Sequence, residues 1–113
     1  MTTTAALSTE ELAELRSLLQ QVRAENEADL ERARATLADL SANGLLTEPS
    51  MREVSMGAEY LIDDATGIIA RVDAALARMD AGQFGTCTSC GQQIPLGRLR
   101  LRPYQPTCVA CSS

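Results

Sequence analysis

Histidine, tryptophan and lysine are all absent from this 113-residue chain, and its aromatic residues are confined to Tyr60, Phe84 and Tyr104. Each absence excludes something. Without an imidazole, serine–histidine hydrolysis and histidine-ligated zinc catalysis are both ruled out. With three aromatic side chains, a large core built on aromatic anchors is ruled out as well. No stretch approaches the ~18 consecutive apolar residues that a membrane span requires. The start, Met1-Thr2-Thr3-Thr4-Ala5-Ala6, has neither the basic residues nor the apolar stretch of a secretory signal. The chain is therefore expected in the cytoplasm, away from membranes. Thiols stay reduced there, so its four cysteines point to metal binding rather than to disulfides.

What is present is mostly Ala, Leu, Arg and Glu, a composition that favours long helices over sheet. Charge is divided unevenly. Residues 1–80 carry all 15 acidic side chains and seven arginines, a net −8, whereas residues 81–113 carry Arg98, Arg100 and Arg102 and no acid, a net +3. An acidic first part joined to a mildly basic end does not suit general DNA coating, which needs a basic face along much of the protein. Sequence-specific DNA binding is not expected.

Ser8-Thr9-Glu10-Glu11 reads as a capping box, with Leu7 and Leu12 placed as a hydrophobic staple, and residues 1–7 read as a frayed tail. From there apolar or small residues recur at Leu12, Leu15, Leu19, Val22, Asn26, Leu30, Ala33, Leu37 and Leu40. This is a heptad seam with one stutter at Asn26. Asn43-Gly44 supplies a left-handed stop. A second Ser-x-x-Glu cap at Ser50–Glu53, behind Pro49, restarts the stripe at Val54, Ala58, Leu61, Ala65, Ile68, Val72, Ala75 and Met79, and Gly82 closes it. Gly57 and Gly67 weaken this second helix by about 1 kcal/mol each relative to Ala. Two helices of matching length fold most simply as an antiparallel coiled-coil hairpin over residues 8–82, with a tip loop near 41–50 and a rod of about 45 Å. One seam per helix makes such a hairpin marginal by itself, so its open end needs an anchor.

Cys87-x-x-Cys90 and Cys108-x-x-Cys111, separated by 17 residues, supply that anchor. Zinc takes four thiolates in a tetrahedron, and each C-x-x-C turn presents two from one compact loop. Gly91 suits the left-handed residue that aims backbone N–H groups at sulfur. Four thiolates fill the coordination sphere, so one structural Zn2+ and no catalytic site is expected, with residues 83–113 forming a small C4 finger. A finger of this size cannot fold on a hydrophobic core alone, so metal binding should supply most of its folding energy. Between the knuckles, Arg98-Leu99-Arg100-Leu101-Arg102 would line up three guanidiniums if extended and spread them around the axis if helical. They are candidates for contacting phosphate or an acidic protein surface. The plainer reading is that they offset the −2 charge of a four-thiolate zinc site.

Residues Ala74 to Ile94, with Gly82-Gln83-Phe84-Gly85-Thr86-Cys87-Thr88-Ser89-Cys90-Gly91 at their centre, resemble the DksA/TraR C4-type zinc finger proteins. Arg98-Leu99, Pro103 and the Cys108–Cys111 knuckle fall in the family's places, so the specific likeness spans residues 74–111. The resemblance implies a transcription regulator that binds RNA polymerase directly. In the family the zinc head rests near the rim of the secondary channel and the coiled coil reaches toward the active centre. Acidic residues at the tip act there, and some members bind the alarmone ppGpp. Two departures stand out. The family's Asp-x-x-Asp-x-Ala tip should fall near Gly44–Pro49, where Glu48, with Glu53 a turn into the next helix, is the nearby acid. Glu48 is either a substitute tip acid or an ordinary carboxylate favoured by a helix start. The family also usually continues past its last cysteine into a further helix, whereas Ser112-Ser113 follow here, so contacts from such a helix are expected to be missing.

The expectation is thus a mainly α protein, a long antiparallel coiled-coil hairpin followed by a small four-cysteine zinc-finger head. It acts as a monomeric, non-enzymatic RNA polymerase-binding regulator. The alternatives are a zinc-clamped coiled-coil adaptor or self-associating module, and a thiol-based redox sensor.

Overall fold

The structure, a computed structural model, describes residues 7–112. Helix α1 spans Thr9–Ala42, α2 spans Arg52–Asp80, α3 spans Leu96–Leu101 and α4 spans Val109–Ser112. A 3-10 turn over Pro49–Met51 precedes α2. No strand forms among the described residues beyond an isolated antiparallel bridge between Thr86 and Gln93. The two long helices form a hairpin, as the paired stripes predict. The expected frayed tail lies outside the described residues except for Leu7.

Helix α1 starts with the capping box: the Glu11 N–H donates to Ser8 Oγ at 3.0 Å and the Ser8 N–H to Glu11 Oε1 at 2.9 Å. It ends in a Schellman turn, with Leu45 N–H donating to Leu40 O and Gly44 N–H to Ser41 O, at a Gly44 φ of 67°. The second cap does not form. Ser50 lies inside the 3-10 turn, which Glu48 enters in an extended conformation without a side-chain cap. The rigid ring of Pro49 suits the first position of such a turn, and this displaces the α2 start to Arg52.

The chain divides into two compact units, one comprising residues through Val22 together with those from Ala70 onward, the other Arg23–Ile69. In the first unit Leu15 and Leu19 of α1 and Val72 and Ala75 of α2 are fully buried, as are Ile94 and Leu99 of the finger. Gly85 is the tight point. A Cβ there would lie 3.2 Å from Leu7 Cδ1 and 3.7 Å from Leu99 Cδ1, and its φ of 89° favours glycine independently. The Glu14 carboxylate takes a forked pair from Arg100, Nε to Oε2 at 2.7 Å and Nη2 to Oε1 at 3.1 Å. Arg16 adds an ion pair to Asp80 at 2.8 Å.

In the second unit the buried seam residues are Ala33, Leu40, Ala58 and Ala65. Two larger seam residues on α2 are left half uncovered there. Val54 is 46% exposed and Leu61 47%, although both lie on the predicted stripe. Gly57 and Gly67, which a close partner backbone would explain, have nothing within 4 Å of an added Cβ. On the surface, Arg23 pairs with Glu27 and Arg32 with Asp29 at helical spacing.

Candidate metal centre

The two knuckles are built by backbone hydrogen bonds that leave little freedom to the sulfurs. Cys87 N–H donates to Gln92 O at 2.8 Å, and Gly91 N–H donates back to Cys87 O at 3.0 Å. Gly91 takes the expected left-handed conformation, φ 78°. The Thr86–Gln93 bridge and Ile94 N–H to Gly85 O hold the first knuckle from below. Thr88 N–H donates to Pro106 O at 2.9 Å, which ties it to the segment carrying the second knuckle. That second knuckle ends in α4, where Ser112 Oγ donates to Cys108 O at 2.7 Å.

These turns bring Cys87, Cys90, Cys108 and Cys111 together with all four Sγ atoms within 4.8 Å of one another. All four are free cysteines, and the Cys90 and Cys108 sulfurs are 3.7 Å apart. A tetrahedron with Zn–S bonds of ~2.3 Å has edges of ~3.8 Å. The cluster therefore fits a single zinc ion, and nothing in the donor set favours a harder metal.

The electrostatics agree. Backbone N–H groups of Cys108, Cys90 and Ser89 aim at the Cys87 sulfur and bring its thiol down to about 6, against the opposing effect of burial. Cys111 moves the other way, up to about 12, because hydrogen bonds with the other three sulfurs, Cys108 first, hold its proton, with burial and the Cys108 charge adding to them. A cluster that resists holding four negative charges by itself is one that a divalent cation completes. The thiolates would hold zinc as a closed structural site, with no position left for a substrate.

Of the three arginines between the knuckles, Arg98 and Arg100 lie within α3 and Arg102 at its C-terminal cap, so they spread around an axis rather than lining one face. Arg98 is half-buried. Its Nη2 donates to Ser112 Oγ at 3.1 Å, and its Nε is closed off from solvent without an acceptor. Ser112 directly follows Cys111, so this cation lies beside the second knuckle, where it can offset thiolate charge. Arg100 is committed to Glu14, which raises the guanidinium's pKa and lowers the carboxyl's. Arg102 is exposed. Glu48 and Glu53 are both exposed, one entering the 3-10 turn and the other in the first turn of α2, and neither is among the clustered ligand residues. Sequence reasoning missed Glu14 and Ser112. Glu14 is 86 positions from its partner, and one acid among many carries no mark of a distant contact.

The arrangement defines a C4 zinc finger grafted onto a helical hairpin. Residues 82–112 match the prokaryotic dksA/traR C4-type zinc finger, and they carry that finger's four cysteines. Over 46 residues the chain is 33% identical to the RNA polymerase-binding transcription factor DksA of Haemophilus influenzae, covering 41% of this chain and 32% of the relative. It is 31% identical over 58 residues to an uncharacterized protein of Aquifex aeolicus, covering 48% of this chain and 40% of that one. The chain thus spans well under half the length of the curated relatives it matches. The fold likeness is broader. The structure of transcription factor DksA2 from Pseudomonas aeruginosa superposes with a TM-score of 0.78 at 26% identity, over 97% of this chain and 86% of that one. Two of these relatives, DksA and DksA2, are named as transcription factors. Among the described residues, no helix is long and apolar enough to cross a membrane.

Proposed function

We propose that this protein is a transcription regulator that binds RNA polymerase directly and works from its secondary channel, without catalysing a reaction of its own. The observation that carries the reading is the combination of a whole-chain fold likeness to DksA2 with a four-cysteine finger of the dksA/traR type. The finger, residues 83–113, serves as the docking head, and the hairpin, residues 8–82, as the probe. Arg102 is an exposed cation of the head offered to a partner surface, Arg100 being exposed too but paired with Glu14, and Glu48 and Glu53 are exposed carboxylates of the tip. Arg98 and Arg100 act inside the molecule, by holding the second knuckle and α1, so their part in docking is indirect. The protein acts in the cytoplasm as a monomer and reads no promoter sequence.

The test is co-purification of tagged, zinc-loaded protein with core RNA polymerase, followed by multi-round transcription with Glu48→Ala. Retrieval of the core subunits, with altered output on Glu48→Ala, supports the proposal. Absence of polymerase subunits together with unchanged output would remove it.

A further inference from the structure

We propose that the seam groove of the second unit, between the α1 and α2 segments of Arg23–Ile69, is a docking site for a basic amphipathic helix of another protein. This goes beyond polymerase binding and does not depend on it.

A two-helix seam should bury its large apolar residues, and along the Val54–Leu61 stretch of α2 this one does not. Val54 and Leu61 are nearly half exposed, while Ala58 between them is 5% exposed. Ala33 and Thr36 on the opposite wall are too short to cover them. The result is an open trough of about 410 Å³ whose walls also include Gly57. Gly57 is the second observation. A Cβ there would meet nothing within 4 Å, and its backbone lies in an ordinary helix, so no fold constraint demands glycine. Glycine costs helix stability and leaves room for an incoming group to approach the backbone closely.

Chemistry selects the occupant. Residues 23–69 hold ten carboxylates against four arginines, a net −6. Glu53 and Asp64 lie on the same flank of α2 as Gly57, at positions one and two helical turns away. Arg32 on the opposite wall is already paired with Asp29. A second copy would bring −6 against −6, and nucleic acid or an anionic lipid surface would be repelled in the same way. Both walls are helices with internally paired backbones, so no strand edge is on offer. The trough from Val54 to Leu61 is seven residues long, about 10.5 Å, which accepts two apolar turns of a third helix. Lysines or arginines flanking those turns would meet Glu53 and Asp64.

The test uses full-length, zinc-loaded protein and a fluorescein-labelled 18-residue leucine–lysine amphipathic helical peptide at physiological salt. A scrambled peptide of equal composition is the control. Fluorescence anisotropy should show the amphipathic peptide binding at least tenfold tighter than the scrambled one. Amide shifts in nitrogen–proton correlation spectra should concentrate at Ala33, Val54, Gly57 and Leu61. Gly57→Glu fills the trough while adding negative charge, and its side chain starts into open space. It should weaken the amphipathic peptide at least tenfold, and Leu61→Gln, at a half-exposed position, should weaken it as well. Binding that is unchanged or tighter in Gly57→Glu would reduce the interaction to plain charge attraction and overturn the proposal. Equal binding of the scrambled peptide would do the same. A concentration-dependent dimer in sedimentation equilibrium, lost in Gly57→Glu, would assign the trough to a second copy instead.

Discussion

In one compact unit the space between α1 and α2 is filled by Leu15, Leu19 and Val72, and in the other largely by alanine. The same heptad pattern runs through both, so the contrast comes from side-chain volume rather than periodicity. Burying a leucine-sized side chain is worth about 1.5–3 kcal/mol, and a methyl is worth a fraction of that. The first unit adds a metal site and a forked Arg100–Glu14 pair. The second adds helical ion pairs on its surface, which are worth ~0.3–0.5 kcal/mol each. Stability is therefore concentrated where the cysteines are, and the Arg23–Ile69 unit is the one left able to rearrange around a partner.

The largest break of this contrast comes from the metal. Zinc-finger sites contribute about 10–16 kcal/mol of apparent binding energy at neutral pH. Chelation or Cys87→Ser should therefore collapse the finger. Amide exchange by mass spectrometry should then show protection lost from Gly85 onward, and elemental analysis should show zinc falling from one equivalent per chain to none. Because thiols must lose their protons to bind, zinc affinity should weaken as pH falls, visible as a shifted chelator competition curve.

Core truncations come next. Leu15→Ala should cost about 2–5 kcal/mol by leaving a cavity, whereas Leu61→Ala, half exposed, should cost under about 1 kcal/mol. Urea melts monitored by circular dichroism compare the two directly, and near-equal losses would erase the distinction between the units. A smaller effect of opposite sign is expected at Gly67→Ala. With open space at its Cβ, this change should stabilise the protein by about 1 kcal/mol, read as a raised melting temperature.

The smallest effect belongs to Glu14. Its folded carboxyl is held below the ordinary Glu value of about 4.3, first by the hydrogen bond from Arg100. A depressed folded value means stability that is present above that ordinary value and lost as pH falls through the folded one. Glu14→Gln should thus lower the melting temperature slightly at pH 7, and the difference from the parent should vanish in strong acid. A difference independent of pH would point to packing instead of charge.

Much of this was readable beforehand, and the exceptions share causes. The helix ends at Ser8 and Gly44 were legible because caps and left-handed stops are local chemistry. The four-cysteine spacing was legible because metal geometry demands it. Ser50 misled because a Ser-x-x-Glu pattern does not register the proline ahead of it, which turns the chain into 3-10 first. Arg98 and Arg100 gave no sign of their partners, since Ser112 and Glu14 are brought to them by tertiary structure. Val54 and Leu61 fall on the seam stripe, but periodicity reports direction and not depth. Their exposure depends on Ala33 and Thr36 lying opposite.

The small side chains lining the Arg23–Ile69 segment carry an evolutionary consequence. A helix pair joined largely through alanine can exchange its outward residues over many generations without losing its fold, because those outward residues bury little apolar surface. Descendants of such a chain could acquire new binding habits at one end while the sulfur-bound end stayed unchanged, which would let relatives diverge in what they recognise while keeping the same finger.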